Sequence, residues 1–129
     1  MGGGKSGKLP LTRTRSYKRV ASNINLSQRT LGRAANGGIA VDEKTSTGVG
    51  RIYSNNPEKS ARQLFSKISR GGRIVHRNNP KRTEARFKKA TVTFRPKSQD
   101  GSSVVEFHFR VKPDNLPRSQ KIHFMKEKE

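Results

Sequence analysis

The chain has no cysteine, few acidic residues and no long apolar run, and each absence closes a class of function. Without cysteine there are no disulfides, no thiolate zinc sites and no thiol nucleophile, which fits an intracellular or intravirion setting. No apolar stretch approaches the roughly 20 residues that cross a bilayer, and no signal-peptide core follows Met1. A soluble or peripheral protein is therefore expected. Hydrophobic residues make up 29% of the 129 positions, too few for a core that runs the whole length. Aromatics are scarce as well. Tyr17 and Tyr53 alone stand outside the apolar pattern, a poor platform for stacking unpaired bases.

Positive charge is what the chain has in excess. It carries 29 Lys and Arg against 9 Asp and Glu, a formal net charge of +20. Charges of one sign repel one another in a compact state, so such an excess implies a polyanionic partner that neutralises it. Residues 1–41 hold eight bases and no acid, and residues 51–97 hold fourteen bases and two acids. Residues 98–129 are nearly balanced, six against five. The expected binding surface thus lies on the N-terminal and middle segments, with the last strands as scaffold.

Hydrophobic patterning predicts an α+β fold, with one amphipathic helix on a small antiparallel β-sheet, preceded by a long basic extended arm. The arm is expected over residues 1–50, where Gly2, Gly3, Gly4, Gly7, Pro10, Gly32, Gly37, Gly38, Gly48 and Gly50 punctuate scattered apolar residues. Within it a short helix is predicted over 26–35, capped by Asn25 or Ser27. The folded domain is expected over 51–125 and a charged tail over 126–129. Ala61, Leu64, Phe65 and Ile68 share one helical face, with Pro57 suited to the first turn and Gly71-Gly72 to the stop. Strands are predicted over 51–53, 73–77, 86–95 and 103–112, with an edge strand over 121–125. Ala90, Val92 and Phe94 alternate inward on the third, and Val105, Phe107, Phe109 and Val111 on the fourth.

Catalytic motifs are lacking. Gly2 to Lys8 imitates a phosphate-binding loop, but Leu9 stands where magnesium needs a hydroxyl. His76, His108 and His123 have no carboxylate or thiol at ligand spacing, so neither a metal nor a cofactor is expected. No serine, histidine and acid pair in a Gly-framed apolar setting, and Glu58 and Glu84 each sit among bases. A non-enzyme is the expectation. Gly2, with Ser6 behind it, does match the pattern of an N-myristoylation acceptor, which with the basic segment would supply two membrane-binding signals.

The basic clusters carry the functional expectation. These are Lys5, Lys8, Arg13, Arg15, Lys18 and Arg19 in the arm, Arg62 on the helix, and Arg70, Arg73, Arg77, Lys81, Arg82, Arg86, Lys88 and Lys89 beyond it. Flexible cationic stems without a recognition-helix signature predict contact with a nucleic-acid backbone, DNA ahead of RNA, without sequence specificity.

Residues 50–65, with Tyr53, the Ser54-Asn55-Asn56-Pro57 turn and the alanine- and base-bearing helix through Ala61 and Arg62, resemble a pattern of small basic proteins of large DNA viruses, including the dinoflagellate/viral nucleoproteins. The resemblance extends to about Val111 through a basic β-hairpin. Ser60-Ala61 stands where a longer alanine run is usual, and the long arm is an addition. The resemblance implies a structural protein of the virion, either DNA-associated or a minor capsid protein beneath the shell, with nucleic acid and other structural proteins as partners. Two further readings share the composition: a ribosomal protein whose basic arm threads rRNA, and a myristoylated matrix protein joining membrane to capsid.

Overall fold

The computed structural model describes residues 16–46 and 49–127. Two helices cover one face of a seven-stranded mixed sheet. The elements are α1 (Tyr17–Leu31), β1 (Glu43–Lys44), β2 (Gly50–Ser54), α2 (Pro57–Ile68), β3 (Arg73–Arg77), β4 (Arg82–Phe87), β5 (Ala90–Arg95), β6 (Ser103–Phe109) and β7 (Ser119–Lys126). The spatial order is β1-β2-β7-β6-β5-β4-β3. Every neighbouring pair is antiparallel except β2 and β7, which run parallel with Ile52 opposite Phe124.

The α+β class is as expected, but the sheet is larger than a small antiparallel one. Arg82–Phe87 and Ala90–Arg95 are two strands of a hairpin turning at Lys88-Lys89, not one strand over 86–95. Lys89 takes a positive φ of 64° to close it. The last strand is not an edge. It sits between β2 and β6, because its alternation of Ile122 and Phe124 supplies apolar side chains that a central strand buries. Val111 lies beyond β6 and is exposed, so the inward alternation ends at Phe109.

The greatest departure is α1. From Ser16 onward the expected extended arm is replaced by a fifteen-residue helix. Ser16 caps it by accepting a bond from the Lys18 N–H at 3.1 Å, and Gly32, at φ 94°, closes it with its N–H on Gln28. Val20 and Ile24 are fully buried, and Asn23 and Ser27 continue the same stripe. The helix predicted over 26–35 contains Leu26 and Leu31, which both face solvent. Asn23 joins the two helices. Its Nδ2 donates to the carbonyls of Ile68 at 3.1 Å and Arg70 at 2.9 Å, satisfying the C-terminal end of α2.

Helix α2 forms as predicted. Asn56 caps it at the Lys59 N–H, Pro57 opens it, and Ala61, Leu64 and Ile68 are buried. Phe65 is only partly buried and meets Phe94 with ring centroids 5.8 Å apart. The core lies between the helices and one sheet face, built from Ala85, Val92, Phe94, Val105, Phe107, Phe109, Ile122 and Phe124. Among the described residues no helix is long and apolar enough to cross a membrane. The expected arm bases Lys5, Lys8, Arg13 and Arg15, the acceptor Gly2 and the end of the 126–129 tail lie outside the described residues.

Candidate nucleic-acid interface

Strands alternate their side chains, so the positions between the core residues all point to the helix-free face. Strand register arranges them in three rows across the sheet. One row runs through Arg73, Arg86, Thr91, His108 and Ser119. The middle row runs through Val75, Glu84, Thr93, Glu106 and Lys121. The third carries Arg77, Arg82, Arg95, Val104, His123 and Arg51, with Glu43 at its end. At the usual strand spacing the six positions from Arg77 to Arg51 span about 24 Å.

The glutamates of the middle row hold arginines to either side. Glu84 receives Arg82 Nε on one oxygen at 2.8 Å and Arg86 on the other, through Nε at 3.1 Å and Nη2 at 2.8 Å. These two guanidinium groups hold its carboxyl below the usual carboxylate range. Arg95 reaches Glu106 at 3.3 Å, and Glu43 accepts from Arg51 at 2.9 Å and from the Tyr53 hydroxyl at 2.7 Å. Arg73, Arg77 and Lys121 have no carboxylate partner among the described residues. The face therefore keeps a positive excess after its acids are used.

A cleft of about 590 Å³ opens on this face over the third row. Val104 lies in its lining with Arg95, Lys121 and His123 from the strands, Lys97 and Asp100 from the loop between β5 and β6, and Pro80 from the turn between β3 and β4. The 96–102 loop is tied by Asp100. One carboxylate oxygen accepts from the hydroxyls of Ser98 and Ser102 and from the Ser102 N–H, which keeps Asp100 ionised far below its ordinary range. The Ser102 hydroxyl, its proton given to Asp100, lies 2.6 Å from His123 Nδ1 and accepts there. Burial pushes the His123 imidazole down from its ordinary value, with Asp100 opposing.

The sequence pattern expected no pairing of a serine, a histidine and an acid, yet Ser102, His123 and Asp100 meet. The arrangement lacks relay geometry. Serine and carboxylate both approach Nδ1, whereas general-base activation needs them on opposite ring nitrogens. Among the described residues no group of histidines and carboxylates is placed to hold a metal. His76 is apart from the others and bonds Thr83 at 3.1 Å.

The structure brings together Arg73, Arg77, Arg82 and Arg86 of the expected site on the open face. Arg62 is elsewhere, paired with Glu58 at 2.8 Å and stacked 5.0 Å over the Phe94 ring. Lys88 and Lys89 lie in the hairpin turn, and Ser16 pairs with Lys88 in an isolated bridge, which brings the Lys18 end of α1 beside them. Arg19 lies on α1, Arg70 follows α2 and Lys81 precedes β4. Tyr53 occupies the open face, while Tyr17 packs against the core. Arg51, Arg95, Lys97, Lys121 and His123 were not anticipated. Their signal was present as the off-beat of the apolar alternation, Arg95 after Phe94 and Lys121 and His123 around Ile122. Comparison with protein-family models, with curated proteins and with solved structures found no match to this chain.

Proposed function

We propose that this chain is a non-catalytic nucleic-acid-binding protein that lays its helix-free sheet face on the sugar-phosphate backbone, without reading sequence. The observation that carries this reading is the cationic third row, Arg77, Arg82, Arg95 and Arg51, crossing the face. Phosphate contacts favour cations on long stems over an open surface, and base readout needs an element that enters a groove. A seven-stranded face with arginines at its outer rows suits the first and supplies no such element. Lys88 and Lys89, with Lys18 of α1 brought beside them by the Ser16 bridge, extend the positive surface past one end of the sheet.

The resemblance of residues 50–65 favours a structural role in the particle of a large DNA virus, where a backbone-binding protein coats DNA or joins it to the shell. The test is duplex DNA binding by fluorescence anisotropy across salt concentrations, with several unrelated sequences. We expect one affinity for all sequences and a log–log salt slope of roughly −4 or steeper, from at least five phosphate contacts. A shallow slope, or a strong preference for structured RNA, overturns the reading, the latter in favour of an rRNA-bound protein.

A further inference from the structure

The cleft gathers cations from two strands and a loop, Arg95, Lys121 and Lys97, and this sets what it can hold. Resting on the backbone-binding reading above, we propose that the cleft seats a terminal phosphomonoester, the phosphorylated end of a nucleic-acid strand. Lys121 and Lys97 stand on its lining with no carboxylate partner among the described residues, and Arg95 joins them while touching Glu106 with one Nη. The one carboxylate in the lining, Asp100, has one oxygen engaged by two serine hydroxyls and a backbone N–H and the other 3.4 Å from His123 Nδ1, so a single negative charge stands against the three cations. His123 donates its Nδ1–H to the Ser102 hydroxyl, which leaves Nε2 as the ring's remaining polar atom, an acceptor in the neutral ring.

Charge favours an end over an internal phosphate at a cleft where Arg95, Lys97 and Lys121 stand together. A monoester carries more charge than the diester of an internal linkage and offers three oxygens, and a cluster of three cations gains most from that group. The volume, about 590 Å³, lies within the range of small-ligand clefts and accommodates one nucleotide unit. Arg51 at one end of the row, or Arg77 at the other, would then hold the backbone that leads away.

The experiment compares one single-stranded oligonucleotide with a 5′-phosphate, a 3′-phosphate or hydroxyls at both ends, at fixed salt, with the full chain. One phosphorylated form should bind roughly tenfold more tightly than the hydroxyl form. In Lys121→Gln that ratio should fall to about one, whatever the variant does to affinity as a whole. A nucleoside monophosphate should compete selectively with the phosphorylated form. If all three oligonucleotides bind wild type alike while duplex binding keeps its steep salt slope, the cleft proposal is overturned and the face reading stands. If no oligonucleotide and no duplex binds, both are overturned. Retention of the ratio in Lys121→Gln also refutes it. NMR of wild type supplies a second reading that needs no variant: inorganic phosphate should shift the His123 ring resonances, and unshifted resonances overturn the site.

Discussion

Gln120 and Ile39 are joined as one backbone pairs with another. The Gln120 side chain donates through Nε2 to the Ile39 carbonyl at 2.8 Å and accepts the Ile39 N–H on Oε1 at 2.9 Å. Ile39 is fully buried, so the segment after α1 owes both its backbone bonds at this point to a side chain eighty-one residues away. Replacing Gln120 by Leu leaves a buried donor and acceptor unpaired. We expect a loss of about 1–3 kcal/mol in denaturant unfolding. A variant with wild-type stability would show that water replaces the amide at no cost.

The Asn23 contacts make a related prediction for the helix pair. Asn23→Asp replaces the donating Nδ2 by a carboxylate oxygen facing the carbonyls of Ile68 and Arg70. Acceptor would then oppose acceptor, in a nearly buried position. Roughly 2–4 kcal/mol of destabilisation is expected, with Asn23→Ala less severe. Equal stability of the two variants would mean that the bonds to α2 contribute little beyond packing.

These two residues also explain what the sequence concealed. Periodicity revealed α2 and β6, because each buries alternating or three-to-four-spaced apolar side chains, whereas β2 and β3 showed only as short β-prone runs beside turn residues, β3 burying none of its side chains. Helix α1 buries Asn23 and Ser27 among Val20 and Ile24 and exposes Leu26 and Leu31, so its hydrophobic pattern points to the wrong face. Ser27 bonds back to the Asn23 carbonyl, but Asn23 is stable there because it meets the carbonyls of Ile68 and Arg70, and partners forty-five residues and more distant leave no local trace. The open face had the same difficulty in another form. Arg73, Arg77, Arg82 and Arg86 stood out as a cluster, while Arg51, Arg95 and Lys121 gather only once β7 inserts between β2 and β6.

Charge on the open face is separable from stability at Arg73 and Arg77, which are exposed and lack carboxylate partners among the described residues. The double variant Arg73→Ala with Arg77→Ala should flatten the salt slope of duplex binding by roughly two units. Its unfolding free energy should stay within about 0.5 kcal/mol of wild type. An unchanged slope would remove the β3 edge from the interface.

Stability should fall in two stages on acidification. The folded state lowers the affinity of His123 for its proton relative to the ordinary 6.5, mainly by burial. The unfolded chain therefore takes up that proton first, and stability declines as pH drops through about 6.5. Asp100 is held ionised in the folded state by Ser102 and Ser98, against an ordinary 3.8. Its contribution is complete above that value and lost as pH falls below it. Glu84, lowered by Arg82 and Arg86 from 4.5, adds to the same acid loss. Unfolding midpoints measured from pH 8 to pH 3 should show both stages, and Asp100→Asn should shrink the lower one. A variant with the wild-type profile would assign the acid loss to Glu84 and the other carboxylates.

Glu84 makes the sharpest division between folding and binding. It occupies both Arg82 and Arg86, in the middle of the face that should meet phosphate. Glu84→Gln keeps the shape, removes one negative charge and turns an amide NH₂ toward one of the two guanidinium groups. The fold should lose about 1–3 kcal/mol, since a charge-assisted contact is replaced by opposed donors. Duplex binding should nonetheless tighten, with a salt slope steeper by about one unit, because an arginine formerly neutralised becomes available to phosphate. Measured at a temperature where the variant is fully folded, weaker binding would reverse the assignment. Glu84 would then serve to aim Arg82 and Arg86 outward in a fixed geometry, and freeing them would cost more in orientation than it returns in charge.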